Sequence, residues 1–161
     1  MRKLVLLALF GAMSIVLSYI SIPIASGLKL TFSFLVTSSL GYILGPLYGM
    51  LFGFAMDPIK FLIKPDGIYV FWWCLIEVFA ELIYGLFLYK KKVSYKRCFL
   101  CKVTVNLFCN VILTSLFFSL LMGKEFAVAN LVARLVKNII LVPFEALIMT
   151  ELLKRLEKVC Q

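Results

Sequence analysis

Residues 69–89 read YVFWWCLIEVFAELIYGLFLY, an apolar run interrupted only by the charges of Glu77 and Glu81. Its length matches the about 20 apolar residues that a helix needs to cross a bilayer. A charged group in the middle of a membrane is costly, so such groups normally face a cavity or a partner. The run therefore predicts a membrane-spanning helix whose two carboxylates have a function.

The composition of the whole chain agrees with a membrane protein. Of its 161 residues, 63% are hydrophobic and 16% are charged, and the mean hydropathy is +1.05. These values exclude an ordinary soluble domain, and a chain with 15% aromatic residues is too apolar to be disordered. The length leaves room for about six or seven spans with short loops, and for no second globular domain.

Five further apolar runs accompany the first. They cover approximately residues 4–22, 31–44, 99–122 and 126–153, and one more follows Gly45 and Pro46 and ends near Met56. Residues 23–30 and 57–67 separate some of these runs and are predicted to be loops. The predicted fold class is therefore all-α, with six transmembrane helices in a single domain, residues 1–161.

The chain has a net charge of +9, and many of its Lys and Arg residues cluster at the predicted helix ends. The clusters are Arg2 and Lys3 at the start, the loop with Lys90, Lys91, Lys92, Lys96 and Arg97, and Lys154, Arg155 and Lys158 at the end. By the positive-inside rule, both termini and the basic loop are predicted to be cytoplasmic in a multi-pass protein. The basic loops favour membrane lipids with anionic headgroups as partners, and we do not expect nucleic acid to bind.

Several kinds of chemistry are excluded by missing residues. Histidine is absent, which removes the usual general base and most zinc sites, and no G-x-S-x-G or G-x-x-x-x-G-K-[ST] motif is present. Cys98 and Cys101 form a lone C-x-x-C, which we expect to be a pair of reduced apolar residues. We therefore predict no enzyme activity, no metal and no cofactor, with an intramembrane enzyme as the least favoured alternative.

Polar residues at helical spacing mark three of the predicted helices. The fourth helix carries Glu77 and Glu81, the fifth Asn106 and Asn110, and the sixth Arg134, Lys137 and Asn138. Spacings of three and four place each set on one helix face. At a rise of about 1.5 Å per residue, the sets of the fourth and sixth helices lie about 12 to 18 Å from the outer helix ends, and Asn110 and Thr114 of the fifth helix lie at a similar depth. We therefore predict one polar pocket that opens outward.

Two interpretations of these sets stay open. In the first, the pocket binds a flat heteroaromatic ligand with an acidic tail, because carboxylates accept hydrogen bonds from an amino-substituted ring and basic side chains bind ligand carboxylates. Tyr69 and Trp72 would then stack on the ring, although such residues also form interfacial belts. In the second, a glutamate of the fourth helix neutralises a basic residue of the sixth in a structural membrane protein. Glu145 is expected to close the pocket floor or to face a partner.

Small residues at every fourth position give a further signal, since such faces allow helices to approach closely. Gly45, Gly49 and Gly53 form one ridge, which we expect to pack within the bundle. Ala8 and Ala12 form a similar face on the first helix.

Several short motifs carry a family resemblance. The most specific are RLVKN (134–138) and PFE (143–145) in the last helix. Others are KLTF (29–32), LGP (44–46) with Asp57, PDGIY (65–69) and LIYG (82–85). Over nearly the whole chain, these motifs resemble those of the substrate-binding S subunits of energy-coupling factor (ECF) vitamin transporters, in particular the folate-specific branch.

The resemblance implies an S-component fold in a bacterial cell membrane, with folate or a reduced folate bound near the outer face. It implies as partners a transmembrane scaffold subunit, on which Ala8 and Ala12 would dock, and two ATPase subunits that use the ATP. It implies no cofactor for the chain itself. Together with the polar sets, it gives as predicted substrate contacts Lys29, Tyr69, Trp72, Glu77, Glu81, Asn106, Asn110, Arg134, Lys137 and Asn138.

Two departures from the folate branch lie near the expected site. That branch usually has Arg where this chain has Lys29, and a P-G-F-T stretch where this chain has VFWW (70–73). Lys keeps the positive charge but lacks the two-pronged hydrogen bonding of Arg, and two Trp rings would narrow the pocket. An S subunit for another vitamin is therefore the alternative within transport, beside the structural membrane protein.

Overall fold

The computed structural model describes residues 2–25, 28–65, 69–121 and 123–160. The chain forms two compact units, Met1–Lys90 and Lys91–Gln161. Within the described residues, six helices carry the fold and one two-stranded hairpin accompanies them, so the predicted all-α class with six helices is confirmed. The prediction of a single domain over residues 1–161 stays a prediction.

The first unit contains four helices and the hairpin. Its elements are α1 (Arg2–Tyr19), β1 (Ser21–Ala25), β2 (Leu28–Thr31), α2 (Ser33–Leu44), α3 (Pro46–Ile63) and α4 (Phe71–Leu88). The strands pair antiparallel, with Ser21 opposite Thr31 and Pro23 opposite Lys29. The prediction of a loop over residues 23–30 is therefore wrong. LKLT (28–31) alternates apolar and polar residues, which is the pattern of a strand.

The predicted loop at residues 57–67 is wrong over its first half, because α3 continues to Ile63. Pro58 lies inside the helix and removes one N–H from its hydrogen bonds without ending it. Asp57 and Lys60 are three residues apart on one helix face, and both find polar partners in the same unit. Gly67, at the other end of the predicted loop, lies outside the described residues.

Apolar side chains of α1, α2 and α3 form the core of the first unit. The buried cluster consists of Phe10, Val36, Leu40, Leu44, Phe52 and Met56. Between α2 and α3 the backbone turns at Gly45, whose φ of +89° is a conformation that residues with a side chain rarely adopt.

Glycines let α3 and α4 pack at close range. A Cβ atom on Gly53 would lie 3.3 Å from the backbone carbon of Glu77. One on Gly85 would lie 2.6 Å from the nitrogen of Pro46, where no real Cβ fits. The prediction that the glycine ridge packs within the bundle is confirmed.

The second unit contains two long helices, α5 (Tyr95–Leu121) and α6 (Lys124–Cys160). Residues Asn106–Leu113 of α5 are π-helical. Both helices begin earlier than the apolar runs predicted, and α6 also ends later, because polar residues at their ends continue the helical hydrogen bonding. Cys98 and Cys101 are buried free thiols, as expected.

Three of the helices, α3, α4 and α5, are long and apolar enough to cross a membrane. Helices α1 and α2 are apolar but shorter, and α2, at about 18 Å, falls well short of the about 30 Å hydrocarbon core. Helix α6 has 37 residues, about 55 Å in length, and carries Arg134, Lys137 and Glu145 along its course.

Candidate functional site

Glu81 is the most deeply buried charged residue among those that the structure describes in the first unit. Its side chain is 0% exposed, and neither carboxylate oxygen has a hydrogen-bond partner within the described part of the chain. Gly53 of α3 leaves the space that it fills, since a Cβ atom on Gly53 would lie 3.2 Å from Glu81 Cγ, and Gly49 borders the same side chain. A buried carboxylate without a partner is strongly unfavourable, which makes Glu81 a candidate for binding a group that supplies hydrogen-bond donors.

Glu77, one turn earlier on α4, has a different environment. Its carboxylate lies 3.7 Å from the ammonium of Lys60 on α3, and the pair is partly exposed. Lys60 lies in the segment that was predicted to be a loop. Its spacing of three residues from Asp57 is the pattern in the sequence that indicates a shared helix face. Glu77 is therefore already neutralised inside the first unit, whereas Glu81 is not.

Tyr69 lies just before α4 and is fixed from two sides. Its hydroxyl donates a hydrogen bond of 3.1 Å to Asp57 Oδ2, and its ring packs against Phe61 at 5.0 Å between centroids. Burial, assisted by the nearby carboxylate of Asp57, raises the pKa of Tyr69 to about 12. Tyr69 thus stays a neutral donor at physiological pH.

For the other two predicted substrate contacts of the first unit, Trp72 and Lys29, the structure gives only the position in the fold and, for Trp72, the degree of burial. Trp72 is half-buried in the first turn of α4. Lys29 belongs to β2, and its side chain lies outside the described part of the structure.

In the second unit, the two predicted asparagines bind each other. Asn110 Nδ2 donates to Asn106 Oδ1 at 3.0 Å, and both residues belong to the π-helical segment. One turn further, Thr114 Oγ1 donates to the carbonyl of Cys109, five residues back, at 2.9 Å. Short π-helical stretches inside α-helices occur often at functional sites.

The basic set of α6 has buried donors without acceptors. Arg134 Nε and Asn138 Nδ2 are both buried and have no hydrogen-bond partner among the residues that the structure describes. The guanidinium of Arg134 also lies 5.7 Å from the ring centre of Phe118, within the range of a cation–π contact.

Glu145 has a partner that the sequence analysis missed. Its Oε2 lies 3.1 Å from the ammonium of Lys102 on α5, and the two side chains are only 13% and 5% exposed. Lys137 also interacts with Glu145 electrostatically. The signal was present, because Lys102 is the only charged residue in the run 99–122. The two helices of the second unit are thus joined by a buried ion pair.

Ala8 and Ala12 lie on the exposed surface of α1. They border a cavity of about 410 Å³ between α1 and α3, next to Gly11 and opposite Phe52 and Met56. The small side chains leave this surface open to a second helix, as their predicted docking role requires.

Comparisons with known proteins match almost the whole chain. A sequence model of the family described as "ECF transporter, substrate-specific component" matches residues 2–153, across both units. The folate transporter FolT of Clostridium novyi (strain NT) is 31% identical over 121 residues, 75% of this chain and 70% of that protein. FolT of Streptococcus mutans serotype c (strain ATCC 700610 / UA159) is 33% identical over 95 residues, 58% of this chain and 51% of that protein. A crystal structure of FolT bound with folic acid superposes with a TM-score of 0.85 at 29% identity, over 94% of this chain and 91% of that one.

Proposed function

Because the chain belongs to the family of ECF transporter substrate-specific components, we propose that it is a folate-binding subunit of such a transporter. The observation that carries the proposal is the similarity, over 94% of the chain, to a FolT structure that holds folic acid. Folate joins a flat amino-substituted ring to a tail with carboxylates. A site for it needs acceptors for the ring N–H groups, donors for the carboxylates, and aromatic side chains for stacking.

Buried polar groups supply this chemistry. The two oxygens of Glu81 can accept paired hydrogen bonds from the ring, and Arg134 Nε and Asn138 Nδ2, which have no partner among the described residues, can donate to the acidic or carbonyl groups. The ammonium of Lys137 is a further donor for these groups. We assign the ring contact to Glu81 rather than to Glu77, because Lys60 already neutralises Glu77.

The remaining predicted contacts complete the proposed site. Tyr69 and Trp72 would stack on the ring, Lys29 would bind an acidic group, and Asn106 and Asn110 would present their amides from the π-helical segment. Lys29 takes this role with a single ammonium instead of the two-pronged group of Arg.

In this proposal the chain captures folate or a reduced folate at the outer face of a bacterial cell membrane. Both termini and the basic loop lie in the cytoplasm, by the positive-inside rule. A transmembrane scaffold subunit docks at Ala8 and Ala12, and two ATPase subunits use the ATP. The chain itself needs no cofactor and performs no covalent chemistry.

The test is isothermal titration of the purified protein in detergent with folate and with 5-formyl-tetrahydrofolate. We expect saturable binding of one ligand per chain. Glu81→Gln and Lys137→Ala should each weaken binding about tenfold or more, on the scale of a lost charge-assisted hydrogen bond. Glu77→Gln should weaken it less, and Glu151→Gln, an exposed carboxylate of α6, is the control that should leave it unchanged.

Each negative outcome has a distinct meaning. A folded protein that binds another vitamin but neither folate form would keep the transporter subunit and replace the ligand. A protein that binds no vitamin, and whose stability falls with the Glu81 or Lys137 variant but recovers in the double variant, would favour the structural membrane protein.

A further inference from the structure

A groove between α5 and α6 is lined mainly by apolar side chains, and two of the proposed folate contacts, Asn106 and Asn138, also border it. It has a volume of about 340 Å³ and lies wholly within the second unit. Its apolar walls are formed mainly by Phe99, Val103 and Leu107 on α5 and by Leu135, Ile139 and Val142 on α6. Leu107 and Ile139 are 52% and 75% exposed, so the groove opens to the outer surface of the unit, while Arg134 and Lys137 do not line it.

The length of the groove corresponds to one leaflet of a bilayer. It runs along α5 from Phe99 to Val111, which is about 16 to 18 Å, since the π-helical residues from Asn106 onward fit one residue more into the same rise. Half of the hydrocarbon core of a bilayer is about 15 Å. The groove is therefore deep enough for most of a lipid chain that enters from one membrane surface.

A positive charge stands at the end of the groove that lies near the basic loop. Lys96 comes three residues before Phe99 and seven before Val103, so it lies on the same face of α5, and it is exposed. Its neighbour Arg97 is engaged differently, since its Nη1 donates to the carbonyl of Lys92 at 3.0 Å. Tyr95 packs on Phe99 at 6.0 Å between ring centres, and tyrosines of this kind mark the level of the lipid headgroups.

We infer that this groove binds an anionic phospholipid, with one acyl chain against α5 and α6 and the phosphate at Lys96. The exposed walls favour a lipid over another helix, because they present large side chains such as Leu107 and Ile139 instead of the small residues that let helices approach. The charge at its mouth favours an anionic headgroup over a zwitterionic one. The groove shares Asn106 and Asn138 with the proposed folate contacts, whereas Lys96, which would bind the phosphate, is not one of those contacts.

The test is native mass spectrometry of the delipidated protein, titrated with phosphatidylglycerol or with phosphatidylcholine of the same acyl chains. For the first bound lipid, we expect phosphatidylglycerol to bind about fivefold more tightly than phosphatidylcholine. This ratio corresponds to the binding free energy that one Lys contributes at an anionic membrane surface. Lys96→Gln should abolish that difference. Lys158→Gln, which removes an exposed lysine elsewhere on α6, should preserve it.

A second variant tests whether the acyl chain of the lipid lies in the groove. Val103→Trp fills the groove and should weaken both lipids, whereas Val16→Trp, at an exposed position of α1, should weaken neither. Equal affinity for the two lipids, or a preference that survives Lys96→Gln, would overturn the inference. So would unchanged lipid affinity in a folded Val103→Trp protein, or binding of glycerol phosphate alone as tight as that of the whole lipid. If Val103→Trp does not fold, the Lys96→Gln result decides.

Discussion

The buried ion pair between Lys102 and Glu145 gives the sharpest prediction on stability. At 3.1 Å, two unit charges attract by about 5 kcal/mol for an effective dielectric constant of about 20. Removing one partner leaves the other charge buried without compensation, which costs about 3 to 5 kcal/mol in proteins. We therefore expect Glu145→Gln or Lys102→Met to lower the free energy of unfolding by about 3 kcal/mol or more.

The double variant Lys102→Met/Glu145→Leu shows whether the loss of stability comes from the ion pair itself or from other contacts of the two side chains. It removes both charges and fills the space with apolar atoms, so its stability should return to within about 1 kcal/mol of the original protein. The assay is reversible unfolding in mixed detergent micelles, analysed as a double-mutant cycle with Lys102→Met and Glu145→Leu as the single variants. Lys137 also feels the charge of Glu145, so Glu145→Gln should be somewhat more harmful than Lys102→Met.

The exposed pair Lys154–Glu151 is the matched control. Its atoms are 3.6 Å apart, but the side chains are 51% and 68% exposed. Glu151→Gln should change the free energy of unfolding by about 0.5 kcal/mol or less. If a single variant of the buried pair is equally harmless, or if the double variant is as unstable as the two single changes added together, the ion pair does not join the helices of the second unit.

Three further predictions concern the first unit. Ala12→Leu fills the small-residue surface of α1 and should abolish copurification with a scaffold subunit while leaving folate titration unchanged; copurification at the original yield would refute the docking surface. Gly85→Ala should lower the free energy of unfolding by about 1 to 3 kcal/mol, since its Cβ would meet the backbone of Pro46, whereas Gly11→Ala meets only the flexible end of Met56 and should have a smaller effect. Tyr69→Phe should lose about 1 kcal/mol with its hydrogen bond to Asp57. Because the folded pKa of Tyr69 is raised to about 12, the contribution of the neutral hydroxyl is present below the ordinary value of about 10 and is lost as the pH rises toward 12. Absorbance titration of the original protein against Tyr69→Phe checks the ionisation, and its appearance near pH 10 would refute the burial argument.

The long helices could be predicted from the sequence because their apolar runs are continuous. The break at Gly45 and Pro46 could be predicted for a different reason, because glycine readily adopts the positive φ that this turn requires. The helical state of the first half of segment 57–67 could not be predicted, because a stretch with Asp57, Pro58 and Lys60 resembles a loop. Their helical state depends on partners that are distant in sequence, Tyr69 and Glu77.

The sequence allowed the polar residues of the candidate site to be named, but it did not show which of them contact one another. Burial separates Glu81 from Glu77, and it arises from the glycines of α3, which no spacing within α4 reveals. The partner of Glu145 was missed for a similar reason, because Lys102 precedes it by 43 positions. Pairwise distances across helices decide which polar groups stay available for a ligand.

The π-helical segment of α5 affects how the chain is compared with its relatives. Hydrogen bonds that reach back five residues accommodate one residue more than a regular α-helix of the same rise. A relative whose fifth helix is regular should therefore have a one-residue gap within residues 106–113. An ungapped alignment would pair the residues after Leu113 with the wrong face, rotated by about 100°. Equivalent positions on the two sides of this segment are thus best assigned separately.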